Sequence, residues 1–88
     1  MMRRRRDRIQ IMEDILRVAD DPRGALKTHL VYGANLNFMR LEQYLGFLLE
    51  NQLIENKMTQ DERYYLTTKG RDFLSQLNET KSFLVAMD

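Results

Sequence analysis

The stretch ALKTHLVYGANLNFMRLEQYLGFLLENQLIENKMTQDERYYL, residues 25–66, changes its apolar period partway along, and that change decides the fold. Its first part, Ala25–Tyr32, turns Leu26 and Leu30 to one side as a short helix, and Gly33 suits the left-handed position that closes a helix. Asn35-Leu36-Asn37 reads as a tight turn, with Asn37 placed to cap the helix that follows, about Phe38–Asn51. On that helix Leu41, Tyr44, Leu45 and Leu48 form an inward stripe, while Met39, Arg40, Gln43, Gly46 and Phe47 point the other way. From Leu53 the period becomes two. Leu53–Met58 and Arg63–Leu66 read as strands joined by the polar loop Thr59-Gln60-Asp61-Glu62. Tyr64 and Tyr65 alternate along the second strand, so one packs inward and the other carries its hydroxyl toward solvent or a phosphate.

The flanks extend this pattern with a helix on each side. Upstream, Asp7–Asp20 repeats Ile9, Met12, Ile15, Leu16 and Ala19 at spacings of three and four, which predicts one buried face, with Ile11 and Val18 off it. Asp21-Pro22-Arg23-Gly24 breaks that helix. Downstream, Thr67 is placed to cap a last helix that continues to Met87. Phe73, Leu77, Leu84 and Met87 fall on a and d positions there, with Gly70 and Thr80 completing the series. That is about two and a half heptads, enough for a pairing seam supported by other contacts, so Phe73, Leu77, Thr80, Leu84 and Met87 are the expected dimer interface. The order of elements predicts a mainly α fold with a small β-hairpin (α+β): a winged helix-turn-helix with a long C-terminal helix. Residues 1–6 are expected as a flexible basic arm, and 7–88 as one domain whose dimerisation helix spans about 67–87.

Eighty-eight residues sit near the lower end of what one core supports unaided, which makes oligomerisation an expected source of stability. The chain has no cysteine, so disulfides, thiolate metal sites and a cysteine nucleophile are excluded. No apolar run approaches membrane-spanning length, and no apolar segment follows Arg3–Arg6 as a secretory signal would require, so a cytoplasmic, nucleoid-associated protein is expected. Four arginines without an apolar anchor do not make a membrane tether. Net charge is +1 but uneven: residues 1–8 carry +4, which leaves −3 over residues 9–88. A basic tail on an acidic body is unusual for a dedicated nucleic-acid binder, whose body is ordinarily basic too.

Four segments carry a resemblance to a known family: Lys27-Thr28-His29-Leu30, Ala34-Asn35-Leu36-Asn37-Phe38, Leu45–Glu55 and Tyr65-Leu66-Thr67-Thr68-Lys69-Gly70. Over about residues 8–80 the chain resembles the small archaeal winged-helix DNA-binding proteins whose long last helix pairs with its twin as an antiparallel coiled coil. The resemblance implies a homodimer presenting two recognition helices to double-stranded DNA, as a transcriptional regulator or chromatin-associated protein. It places Asn37, Phe38, Arg40 and Gln43 against DNA and Lys57 and Arg63 on the wing; Lys27 and Thr28, on the helix before the turn, are further expected DNA contacts. The chain departs from the family at Met39 and Gly46, where relatives more often carry polar or charged residues, and at the acidic Glu62.

The residue chemistry bears on the same candidates. Arg and Gln are the side-chain types that read guanine and adenine edges, which fits Arg40 and Gln43, although polar residues on an exposed helix face are also ordinary. Arg3, Arg4, Arg5 and Arg6 form an arm able to contact phosphates without sequence preference, or a solvated tail. Met39 and Phe47 on the outward face open the alternative of a protein-interaction module without DNA binding, since winged helices also serve in assembly. His29 is the lone histidine and has no second ligand at metal spacing, so no metal or cofactor is expected. No nucleophile–base–orienter set and no glycine-rich phosphate loop appears, and no enzyme activity is expected.

Overall fold

In the computed structural model, which describes residues 7–86, the elements follow in the order α1 (Arg8–Ala19), α2 (Lys27–Gly33), α3 (Phe38–Glu50), β1 (Ile54–Met58), β2 (Glu62–Leu66) and α4 (Thr68–Ala86). Arg3–Arg6 and Met87 lie outside the described residues. Each boundary has a local cause. Asp7 caps α1 by accepting the Gln10 N–H at 2.8 Å, and Asn37 caps α3 by accepting the Arg40 N–H at 2.8 Å. Thr67 caps α4: its Oγ1 accepts the Gly70 N–H at 2.9 Å and donates to the Gln52 carbonyl at 2.6 Å, tying the helix start to the α3–β1 turn.

The expected second helix begins two residues late. Ala25 exchanges two backbone hydrogen bonds with Tyr64, both 2.8 Å, so the sheet claims it before α2 starts. Gly24 precedes it at φ +72°, with the Tyr65 ring lying where a Cβ would stand. At the end of α2 the left-handed residue is Asn35 (φ 54°), not Gly33; Gly33 stays helical, where a Cβ would strike Val18. Asn is among the few non-glycine residues that take this conformation readily.

β1 and β2 pair antiparallel with Ile54 opposite Leu66, Asn56 opposite Tyr64 and Met58 opposite Glu62. Ile54, Tyr64 and Leu66 face the core, whereas Glu55, Lys57, Arg63 and Tyr65 share the outer face. β1 starts one residue later than expected because the Leu53 N–H donates back to the Leu48 carbonyl, and its own carbonyl accepts the Thr67 N–H.

The core gathers Ile11, Ile15, Leu16 and Ala19 of α1 with Leu30, Leu41, Leu45, Leu48, Ile54, Tyr64 and Leu66. The expected face of α1 is corrected here: Ile11 is buried, while Ile9 is 52% exposed. The reason is that α1 is enclosed from several sides, by α2, β2 and α4, so no single stripe describes it. α4 runs antiparallel to α1, as three cross-links show: Arg71 to Asp20 at 2.7 Å, Asn78 to Arg17 at 2.6 Å and Lys81 to Glu13 at 2.9 Å. Its core residue is Leu74, and Gly70 presses so close to the Leu53 carbonyl that a Cβ could not fit. Gly70, read from sequence as a seam position, is therefore occupied by the domain's own body.

Candidate nucleic-acid interface

The side chains of α3 divide by direction. Leu41, Leu45 and Leu48 are buried, which leaves a solvent-facing stripe of Met39, Gln43, Gly46 and Glu50, four residues spaced to lie on one face. Phe47 flanks that stripe toward α1, where Gln43 also lines the space between the two helices, and Glu42 flanks it toward α2. Arg40 and Gln43 are exposed within the first turn and a half after the Asn37 cap. Among the described residues the Arg40 guanidinium has no ion-pair partner. Met39 is 75% exposed, and Phe38 and Phe47 are each half-exposed.

The other basic candidates are engaged inside the protein. Lys27 Nζ donates to Glu42 Oε2 at 2.6 Å, and that hydrogen bond raises the ammonium pKa above its ordinary value despite partial burial. Lys57 lies 3.7 Å from Glu55 and 5.1 Å from the centre of the Tyr65 ring. Arg63 donates to Asp61 at 2.9 Å and reaches the Arg23 carbonyl at 3.4 Å. Thr28 is exposed beside Lys27. Asn37, in contrast, spends its side-chain oxygen on the α3 cap.

Lys27 thus lies among Glu42 of α3 and Tyr64 and Glu62 of β2, and Arg40 and Gln43 stand exposed on α3. Glu42 is the residue that sequence reasoning missed. Its pairing with Lys27 spans fifteen residues and follows only from the α2–α3 packing. His29 is exposed, as expected for a helix surface; its Nδ1 accepts the Leu26 N–H at 3.1 Å and supplies a cap that Leu26 itself cannot.

Two open depressions lie in the surface of the domain. One, of about 550 Å³, lies between α1 and α3 and is lined by Arg8, Ile9, Met12, Gln43, Tyr44 and Phe47. The other, of about 610 Å³, lies between the α1–α2 turn and the wing, beside Arg23, His29 and Arg63. Among the described residues no three His, Asp or Glu side chains converge as a metal site would require, and no helix is long and apolar enough to cross a membrane.

On α4, Phe73 and Leu77 are half-buried against the body, and Thr80 and Leu84 are exposed. These four follow the seam spacing along one flank of the helix, beside the line of Leu74, Asn78 and Lys81 that meets the domain.

A three-helix core, a hairpin wing and a capped third helix with an open polar face define a winged helix-turn-helix. Residues 5–84 match the family described as winged helix-turn-helix, and the chain belongs to it. Among curated proteins it is similar to Uncharacterized protein MJ0290 of Methanocaldococcus jannaschii, 35% identical over 75 residues, and to Uncharacterized protein MJ0287 of the same organism, 29% identical over 77 residues. These alignments cover 85% and 88% of this chain, which spans about a third (34%) of the first relative's length and 75% of the second's. Among solved structures it is similar to the crystal structure of Sso10a-2, a DNA-binding protein from Sulfolobus solfataricus. The TM-score is 0.70 and the identity 26%, over 93% of this chain and 88% of that one.

Proposed function

We propose that the protein is a homodimeric DNA-binding protein, acting as a transcriptional regulator or chromatin-associated factor at the nucleoid. One observation carries the reading: the first turn and a half of α3 presents to solvent Gln43 and Arg40, which has no ion-pair partner among the described residues. That is the part of a recognition helix that reaches base edges in the major groove. The similarity to a solved DNA-binding protein supports the same reading. In this mechanism α3 enters the major groove, Lys57 and Arg63 on the wing meet the flanking backbone, and Arg3–Arg6 add phosphate contacts. Pairing of two chains along Phe73, Leu77, Thr80, Leu84 and Met87 supplies two recognition helices at a fixed separation.

The test is a titration with mixed-sequence duplex DNA at two salt concentrations. Affinity that falls steeply with salt supports the reading, because each neutralised phosphate contributes about 0.9 to the log–log slope. Absence of binding at low salt rejects it. A second reading, a protein-interaction module, is favoured by the exposure of Met39 and Phe47 on the same face. It gains if Met39→Ser with Phe47→Ser abolishes capture of a protein partner while duplex binding persists.

A further inference from the structure

Three of the four glycines have a reason inside the fold. Gly24 sits at positive φ under the Tyr65 ring, a Cβ on Gly33 would strike Val18, and one on Gly70 would strike the Leu53 carbonyl. Gly46 has none. It lies in the middle of α3 with ordinary helical backbone, and apart from its chain neighbours and the backbone of its own helix no atom of the described structure comes within 4 Å of where its Cβ would stand. Glycine is the worst ordinary residue for a helix interior after proline, and alanine there would cost the fold nothing. An unoccupied glycine on an exposed helix suits one requirement well, the close approach of something outside the chain to the backbone.

Its position identifies what approaches. Gly46 lies on the outward stripe with Met39 and Gln43, nine residues beyond the Asn37 cap, about 13 Å along the helix axis. In helix-turn-helix docking the N-terminal residues of the recognition helix reach the base edges, so a residue one turn further on the same stripe comes level with the strand that borders the groove. One turn further on the same stripe, Glu50 adds a carboxylate that repels phosphate and limits the contact. We infer that Gly46 is the point of closest approach between α3 and the sugar–phosphate strand bordering the groove, its missing side chain setting how deeply the helix seats. The inference rests on the DNA-binding reading and assigns the positioning role within it.

Gly46→Ala and Gly46→Leu test it, because both residues are good helix formers and differ chiefly in size. Both variants should melt about 3–8 °C higher than the wild type. Their affinity for mixed-sequence duplex should nonetheless weaken, by about tenfold for Ala and further for Leu, as expected when added carbons enter a close contact. Gain in stability with size-graded loss of binding supports the inference. It is overturned if the variants bind as tightly as wild type, or if Ala and Leu lose affinity equally, since a size-independent loss reflects helix stiffening. Failure of the wild type itself to bind duplex removes the underlying reading, and this assignment with it.

Discussion

Lys27 and Glu42 show how a single pair sets the chemistry of the candidate interface. With the ammonium 2.6 Å from the carboxylate, a phosphate must compete with Glu42 before Lys27 contributes to binding. Glu42→Gln removes that competitor. Because the pair is substantially exposed, folding stability should change by less than about 1 kcal/mol. Duplex affinity at low salt should rise about 2- to 10-fold, with the log–log salt slope steeper by about 0.9 if Lys27 takes up a phosphate. A titration showing no gain would place Lys27 outside the interface. Glu13 is the opposite case, a carboxylate 1% exposed on α1, bound by Arg17 at 2.6 Å and Lys81 at 2.9 Å. Burial pushes its pKa up, but the hydrogen bonds and charges of Arg17 and Lys81 outweigh that, and it lies below the ordinary carboxylate value. A depressed folded-state pKa makes Glu13 stabilising above the unfolded-state value, and that stability is lost as pH falls through the lower folded-state value. Glu13→Gln should therefore cost about 1–3 kcal/mol near neutral pH, less than a fully enclosed pair because both partners are half-exposed. The deficit should shrink in acid; denaturant melts at pH 7 and pH 3 that show an equal deficit would contradict this account of Glu13.

Among the elements, α4 links the domain to a proposed twin. Its Arg71, Asn78 and Lys81 bind α1 and Phe73 packs partly on the core, so the proposed pairing falls chiefly to Leu77, Thr80 and Leu84 on the neighbouring flank. Leu77→Glu with Leu84→Glu would bury unpaired carboxylates in that seam, at several kcal/mol. Sedimentation should then show monomer; a persisting dimer would put the interface elsewhere, foremost at the α1–α3 depression lined by Ile9, Met12 and Phe47. The elements that sequence periodicity located were those with local signals. Asn37 and Thr67 cap helices through bonds made within their own turns, and the strand alternation put one of the two tyrosines inward without saying which; it is Tyr64. What escaped depends on distant neighbours. Ile11 rather than Ile9 enters the core because α1 has several neighbours at once, and Leu74 is the core residue of α4 although the heptad ran through Phe73 and Leu77. Asn35, not Gly33, took the left-handed turn, while Gly33 stays in the helix where Val18 leaves no room for a Cβ. The outward set of α3 was legible, while the Lys27–Glu42 and Arg63–Asp61 pairings that hold back its basic neighbours were not, since opposite charges in sequence do not say which will meet.

At the scale of the whole molecule, charge and shape divide the labour. Residues 1–8 carry +4 and the remainder −3, so the proposed reading gives non-specific attraction mainly to the arm and sequence preference to Arg40 and Gln43. The wing adds little net charge, because Lys57 and Arg63 stand beside Glu55 and Asp61. In the proposed reading such a body binds DNA by local fit at α3, against a modest repulsion from the rest of the surface. The central claim is that α3 makes that fit, and Arg40→Ala with Gln43→Ala tests it most directly. Both side chains are exposed and alanine is the better helix former, so the melting temperature should hold or rise slightly. Duplex titration of this double variant against wild type, at one low salt concentration and over a library of sequences, is the measurement. The account predicts a loss of about 1–3 kcal/mol for each good base contact at preferred sequences, with a smaller loss on arbitrary DNA. Binding as tight and as selective as the wild type's, in a variant that folds normally, would contradict it.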